Sequence, residues 1–224
     1  MSSRCTAATA LLFDLDGTLV DSAPDLAAAG NAVRRARGLP NLPAELYRPH
    51  TSGGARGMLG VALQVTPQTA DYEALKDEFL AAYATLLTQQ TRCFPAMATL
   101  IDRLDQDGVP WGIVTNKATR FTLPIVQHLG LDRRAATVVC GDTTPHAKPH
   151  PAPLLEAARQ LGIAPACCVY VGDDLRDIQA GQAAGMKTVA VRWGYLGEAV
   201  PIEQWGADDL IEDPLALLKW AAMA

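Results

Sequence analysis

Leu11-Leu12-Phe13-Asp14-Leu15-Asp16-Gly17-Thr18-Leu19-Val20-Asp21-Ser22 runs an apolar stretch into two carboxylates two residues apart. Residues with that spacing share a face of a strand, so Asp14 and Asp16 are expected to converge at its carboxyl end, where Gly17 lets the chain turn away. Neighbouring carboxylates repel, and a divalent cation is the usual remedy. An acidic turn after a buried strand would explain the two aspartates but not the Gly17-Thr18-Leu19 continuation that ends in Asp21-Ser22.

Outward from this stretch, short apolar runs at 11–15, 111–115, 137–140, 167–171 and 188–191 read as strands buried on both faces. Amphipathic segments at 97–106, 120–129, 152–161 and 175–184 lie among them, with Gly108, Gly130, Gly162 and Gly185 just past the last apolar position. The alternation predicts an α/β fold, a doubly wound parallel sheet. Ligands in such sheets sit beyond the carboxyl ends of the strands, where Asp14, Thr115 and Asp173 all fall. Residues 23–92 break the rhythm, with helical stretches at 25–37 and 71–87 and no convincing strand. The expected organisation is a core of residues 1–22 and 93–224 with a helical unit of residues 23–92 inserted, the chain crossing near Asp21 and near Phe94-Pro95.

Composition narrows the function classes. With 224 residues, 49% hydrophobic and 19% charged, the chain can bury a substantial core. A net charge of −5 without a Lys/Arg cluster argues against nucleic acid as a partner. No run approaches the ~18 apolar residues of a membrane helix. The faintly leader-like start from Arg4 to Phe13 is cut short by Asp14, and its removal would take the candidate carboxylate with it. Five cysteines, an odd number with no C-x-x-C pair, argue against a disulfide framework and for a reducing compartment, so a cytoplasmic protein is expected.

Further signals stand at the predicted strand tips. Val114-Thr115-Asn116-Lys117 places a hydroxyl after the second strand, where it could bind phosphoryl oxygens without carrying charge, although a threonine there is also a common cap or turn residue. Lys148-Pro149 follows a polar loop and offers an ammonium, with His146 and His150 flanking it; the Pro149-His150-Pro151 frame keeps the two histidines off one helical face and argues against a metal site there. Val171-Gly172-Asp173-Asp174-Leu175-Arg176-Asp177 brings a second group of carboxylates from a strand into a helix, with Asp174 suited to cap it. Inside the insert, Thr51-Ser52-Gly53-Gly54-Ala55-Arg56-Gly57-Met58 is a glycine-rich loop entering a helix with one cation.

In this order the runs resemble the four motifs of the haloacid dehalogenase superfamily: Asp-x-Asp-Gly-Thr-Leu-x-Asp-Ser, a strand-tip threonine, a lysine, and Gly-Asp-x-x-x-Asp. One class of that superfamily carries a small helical cap directly after the first motif. The resemblance implies a Rossmann-like core and a phosphate-monoester hydrolase in which Asp14 is the nucleophile, Asp16 the acid and base, and Thr115 and Lys148 phosphoryl partners. It also implies Mg²⁺ held by Asp14, the main-chain carbonyl of Asp16 and Asp173, with Asp177 in support. Substrate contacts would come from Asn116, Gly53, Gly54 and Arg56, whose guanidinium suits a carboxylate.

Ser52 to Met58, Trp111 to Lys117, Val171 to Ile178 and Ala190 to Leu196 together are similar to the phosphoglycolate phosphatase family, and more narrowly to its branch of N-acetylmuramic acid 6-phosphate phosphatases from peptidoglycan recycling. The muramate ester is the favoured substrate on that resemblance, with 2-phosphoglycolate as the alternative. Both carry a carboxylate, so the presence of Arg56 does not separate them. A phosphosugar mutase would share nucleophile and metal. The expected partner is a small phosphate ester, and the expected state a monomer or weak homodimer.

Overall fold

Alternate residues of the first strand, β1 (Ala10–Phe13), enter two different apolar clusters, one on each face of a single sheet. Leu11 and Phe13 pack with Val169, Val171 and Leu100; Ala10 and Leu12 pack with Tyr170, Leu154 and Ala157. The computed structural model describes residues 10–197 and 200–221, so Cys5 and most of the leader-like start lie outside the described residues.

β1 stands between β4 (Trp111–Val114) and β6 (Cys168–Gly172), with Phe13 opposite Ile113 and Val171. With β5 (Thr137–Val139), β7 (Lys187–Val191) and β8 (Asp209–Ile211) the order is β5-β4-β1-β6-β7-β8, parallel throughout. Helix α5 (Met97–Gln106) covers one face, and α7 (Ala152–Leu161) with α8 (Leu175–Ala183) covers the other. The fold is therefore the doubly wound α/β sheet that the apolar runs predict. β8 adds a sixth strand, which a carboxylate followed by only two apolar residues does not announce by pattern. Cys93, Cys140 and Cys168 are free thiols. Among the described residues no helix is long and apolar enough to cross a membrane.

Between β1 and α5 the chain builds α1 (Ala23–Arg35), α2 (Ala44–Tyr47), a 3-10 turn (Arg48–Gly53), α3 (Gly54–Leu63) and α4 (Tyr72–Leu86). Their apolar stripes meet in a cluster containing Leu26, Val33, Tyr47, Met58, Phe79 and Tyr83, which also takes Phe121 and Ile125 from α6 (Thr119–His128). Val126, on the same helix, belongs to the sheet cluster, so α6 joins the two layers. Where the chain leaves and re-enters the sheet layer, β2 (Val20–Asp21) and β3 (Arg92–Cys93) pair antiparallel, Asp21 opposite Arg92. Buried Asp25 ties the start of α1 to this return, accepting the Thr91 N–H at 2.9 Å and hydroxyl at 2.7 Å and the Gln90 N–H at 2.9 Å.

Candidate active site

β1 ends at Phe13, and Asp14 continues its ladder by one bond, its N–H donating to the Val171 carbonyl at 2.9 Å. The chain then swings through Gly17 at φ +90°, a conformation that L side chains rarely adopt. A Cβ at Gly17, or at Gly194 across the site, would overlap the Asp173 side chain, so both glycines make room for that carboxylate. Asp173 leaves the tip of β6, held by the Thr18 hydroxyl at 2.9 Å and the Tyr195 N–H at 2.8 Å.

Asp14, Asp173 and Asp177 are buried and offer carboxylate oxygens within 4.8 Å of one another. Burial, eased by Lys148 and reinforced by the Asp177 charge, pushes the Asp14 carboxyl up to about 7. Burial, with the charges of Asp14 and Asp177, also drives Asp173 well above the carboxylate range. Three close, buried, hard oxygen donors gathered within 4.8 Å of one another fit a divalent cation such as Mg²⁺.

The Lys148 ammonium meets four partners: Asp14 Oδ1 at 2.8 Å, Asp177 Oδ1 at 2.7 Å, the Val114 carbonyl at 3.0 Å and the Tyr170 hydroxyl at 2.7 Å. Desolvation opposes its charge, but the two carboxylates outweigh it and raise its pKa. The Lys148-Pro149 peptide is cis. Asn116 lines the cavity, yet its side-chain amide is bound to the Lys148 main chain in both directions, so its contribution here is to seat the lysine. Thr115 is buried at the tip of β4 and accepts the Lys117 N–H at 3.1 Å, which leaves its own proton available to donate.

Asp16 lines the same cavity but turns away from the acidic cluster. Its carboxylate receives the Lys117 ammonium at 3.0 Å on each oxygen and the Ser22 hydroxyl on Oδ1. Desolvation disfavours the Lys117 charge, but Asp16 more than offsets it and the pKa rises. Lys117 also lies over the Tyr83 ring of α4, 4.8 Å from its centre.

Asp174 caps α8, accepting the Arg176 N–H at 2.8 Å while Asp177 accepts the Asp174 N–H at 3.1 Å. Its carboxylate grips the Arg176 guanidinium through Nε at 2.8 Å and Nη2 at 2.9 Å, and Nη2 also donates to the Ser52 carbonyl at 2.7 Å. Asp14, Asp16, Thr115, Asn116, Lys148, Asp177, Gly53 and Gly54 thus share one cavity of about 250 Å³, with Asp173 behind Asp14. Arg56 is not among its walls; it lines a neighbouring cavity. Sequence reasoning missed Lys117, Arg176, Ser22 and Tyr170. The first three stand inside motifs already quoted, and Tyr170 carries the signal of a hydroxyl in a fully apolar strand, where a buried polar tip needs a partner.

A family model described as haloacid dehalogenase-like hydrolase matches residues 11–191. The chain is 43% identical over 210 residues to an N-acetylmuramic acid 6-phosphate phosphatase of Pseudomonas putida, covering 94% of each chain. It is 49% identical over 214 residues to a phosphoglycolate phosphatase of Xanthomonas campestris pv. campestris, covering 95% of this chain and 96% of the relative. Among solved structures, that of a predicted phosphoglycolate phosphatase from Haemophilus somnus superposes with a TM-score of 0.83 at 30% identity, covering 95% of this chain and 97% of the other.

Proposed function

The chain belongs to the haloacid dehalogenase-like hydrolase family, and from that membership we propose a Mg²⁺-dependent hydrolase of small, carboxylate-bearing phosphate monoesters that works through an aspartyl phosphate. Phosphoric monoester hydrolysis is the activity named for its relatives. The observation that carries the finer reading is the environment of Asp14. One of its oxygens is taken by Lys148, which leaves the other to attack phosphorus.

In the first step a P–O bond forms to Asp14 as the ester P–O bond breaks, and the leaving alkoxide takes a proton from Asp16, which to act as the acid has to exchange its Lys117 contacts for a proton and the ester oxygen. In the second, water attacks phosphorus, gives its proton to Asp16 and frees Asp14 with release of orthophosphate. Lys148 balances phosphoryl charge, most effectively in a site that excludes water, and the Thr115 hydroxyl donates a hydrogen bond to a phosphoryl oxygen. Mg²⁺, held by Asp14, the Asp16 main-chain carbonyl and Asp173 with Asp177 in support, would supply further charge neutralisation. We read residues 23–92 as a cap over a core of residues 1–22 and 93–224, Gly53 and Gly54 offering main-chain contacts, and a cytoplasmic setting.

The names of the relatives offer two carboxylate-bearing candidates, N-acetylmuramic acid 6-phosphate and 2-phosphoglycolate. The test is orthophosphate release from a panel containing both, several sugar phosphates and 4-nitrophenyl phosphate, with and without Mg²⁺. Metal-dependent release from the carboxylate esters is expected. A sugar 1-phosphate isomerised without free phosphate would replace the hydrolase by a mutase.

A further inference from the structure

Trp193-Gly194-Tyr195, just after β7, does not line the cavity that holds Asp14, yet all three residues bear on Asp173. The Trp193 indole N–H donates to the Thr18 carbonyl at 3.0 Å, and the Thr18 hydroxyl donates in turn to Asp173 Oδ1. Gly194 has no Cβ to overlap the Asp173 side chain, and the Tyr195 N–H donates to Asp173 Oδ2. The main chain of this segment therefore seats the carboxylate read above as a metal ligand.

The Tyr195 side chain reaches a second place, the start of α1. Its ring is buried beneath the Arg48 guanidinium, which lies 5.2 Å from the ring centre. Its hydroxyl accepts the N–H groups of Ser22 at 2.8 Å and Ala23 at 3.0 Å and donates to Asp21 Oδ1 at 3.1 Å. Burial, with the charges of Asp16 and Asp21, raises its pKa, so the phenol keeps its proton. A helix start leaves N–H groups without partners, and a serine at the N-cap ordinarily spends its hydroxyl on one of them. Ser22 is the N-cap of α1 and makes no such bond. Tyr195 takes the Ser22 and Ala23 N–H groups from 173 and 172 positions away, and the Ser22 hydroxyl goes to Asp16 Oδ1 instead. One residue is thus joined by its main chain to Asp173 and by its hydroxyl, through Ser22, to Asp16.

Resting on the hydrolase reading above, we propose that Tyr195 is a positioning residue for the acid step: its hydroxyl fixes Ser22, and Ser22 steadies the Asp16 carboxyl as it passes from Lys117 to the ester oxygen. Tyr195 acts through Ser22 and not on the substrate, since it is no part of the cavity wall. Its two contacts are separable. Tyr195→Phe keeps the ring under Arg48 and the N–H to Asp173, and removes only the hydroxyl. The loss should fall on substrates that need the acid. An alkoxide leaves with a proton from a positioned donor, whereas 4-nitrophenolate leaves readily as the anion.

The test is kcat/KM at saturating Mg²⁺ for two esters, 4-nitrophenyl phosphate and whichever of 2-phosphoglycolate and N-acetylmuramic acid 6-phosphate the wild type hydrolyses faster. The variants are Tyr195→Phe, Ser22→Ala, the two together, and Asp16→Asn, each checked by circular dichroism. Tyr195→Phe should cut the alkyl-to-aryl ratio by about ten- to a hundredfold, the cost of a catalytic group misplaced by about 1 Å. Ser22→Ala, which keeps every main-chain bond to Tyr195, should do the same, and the double variant should fall no further than either, because both act along one path. The Mg²⁺ concentration for half-maximal activity should not move in Tyr195→Phe. Equal losses on both esters, a ratio that Ser22→Ala leaves where it was, losses that multiply in the double variant, or a raised Mg²⁺ requirement in Tyr195→Phe would each overturn the positioning role while the hydrolase stands. Asp16→Asn gives the full size of the acid effect. A ratio unchanged in that variant, or wild-type protein that releases no phosphate from any of these esters, would remove the reading on which the role of Tyr195 rests, and that role with it.

Discussion

The side-chain amide of Asn116 and the main chain of Lys148 are bound to each other in both directions, Nδ2 donating to the Lys148 carbonyl and Oδ1 accepting its N–H, each at 2.9 Å. Asn116 leaves the tip of β4 and Lys148 ends a polar loop, so this clasp sets how far the ammonium reaches toward Asp14 and Asp177. Asn116→Ala is expected to lower kcat by up to about a hundredfold through misplacement of Lys148, and to cost about 1–3 kcal/mol of stability for main-chain groups left unpaired. Steady-state kinetics and urea melts on the same samples measure both; an unchanged kcat would show that Lys148 is seated without it.

Asp14→Asn keeps the shape of the side chain and removes the anion that attacks phosphorus. Turnover should fall by at least about 10⁴-fold with the circular dichroism spectrum unchanged. Substantial activity in the purified variant would take the nucleophile role from Asp14.

Asp173→Asn replaces an anionic donor by a weaker neutral one; its one amide oxygen can still accept the Tyr195 N–H, while the Thr18 hydroxyl can turn to accept from the new NH₂. The Mg²⁺ concentration for half-maximal activity should rise about ten- to a hundredfold, with part of kcat recovered at high metal. An unmoved metal dependence would show that Asp173 is not a ligand.

Tyr83 is buried, and its hydroxyl makes no hydrogen bond among the described residues, while its ring supports Lys117. Tyr83→Phe keeps the ring and discards the unpaired hydroxyl, so stability should stay level or rise by up to about 1 kcal/mol. Tyr83→Leu removes the ring face beneath the ammonium and should lower kcat more than Tyr83→Phe does. A melting temperature lowered by Tyr83→Phe would reveal a partner for the hydroxyl.

Asp208 accepts Lys187 Nζ at 2.6 Å and the Thr188 N–H at 2.9 Å, clasping the start of β7 beside β8. Burial raises its pKa, but these donors outweigh burial and lower it below the ordinary carboxylate value. A depressed folded-state pKa contributes stability that is present above the unfolded value near 3.9 and lost as pH falls through the folded value. Asp208→Asn should therefore cost up to about 1 kcal/mol at pH 7, solvent screening of this exposed pair holding the figure down, and progressively less on acidification below about pH 4. Urea melts from pH 7 to pH 3 would detect this; a constant difference across the range would rule out an ionised Asp208 as its source.

What could be read along the chain was local. Helices α5 and α7 begin and end where the apolar spacing places them, because a 3.6-residue period and the Gly108 and Gly162 stops are written in neighbouring residues. The carboxylates at the strand tips were legible for the same reason. β8 was not, since Asp209-Leu210-Ile211 offers only two adjacent apolar residues after a carboxylate and becomes a strand only by pairing with β7.

By itself the chain of residues determined that two carboxylates follow one buried strand, that a lysine and a second acidic cluster follow others, and that a cation stands just past a glycine-rich loop. Tertiary structure alone decided the pairings. Lys117 reaches Asp16 across 101 positions, Thr18 reaches Asp173 across 155, and Arg176 reaches Ser52 across 124. It also decided that Arg56 lines a neighbouring cavity and not the one holding Asp14. Backbone preference depends on covalent neighbours, whereas ion pairing depends on distances of about 3 Å between groups that only the packed sheet and helices bring together.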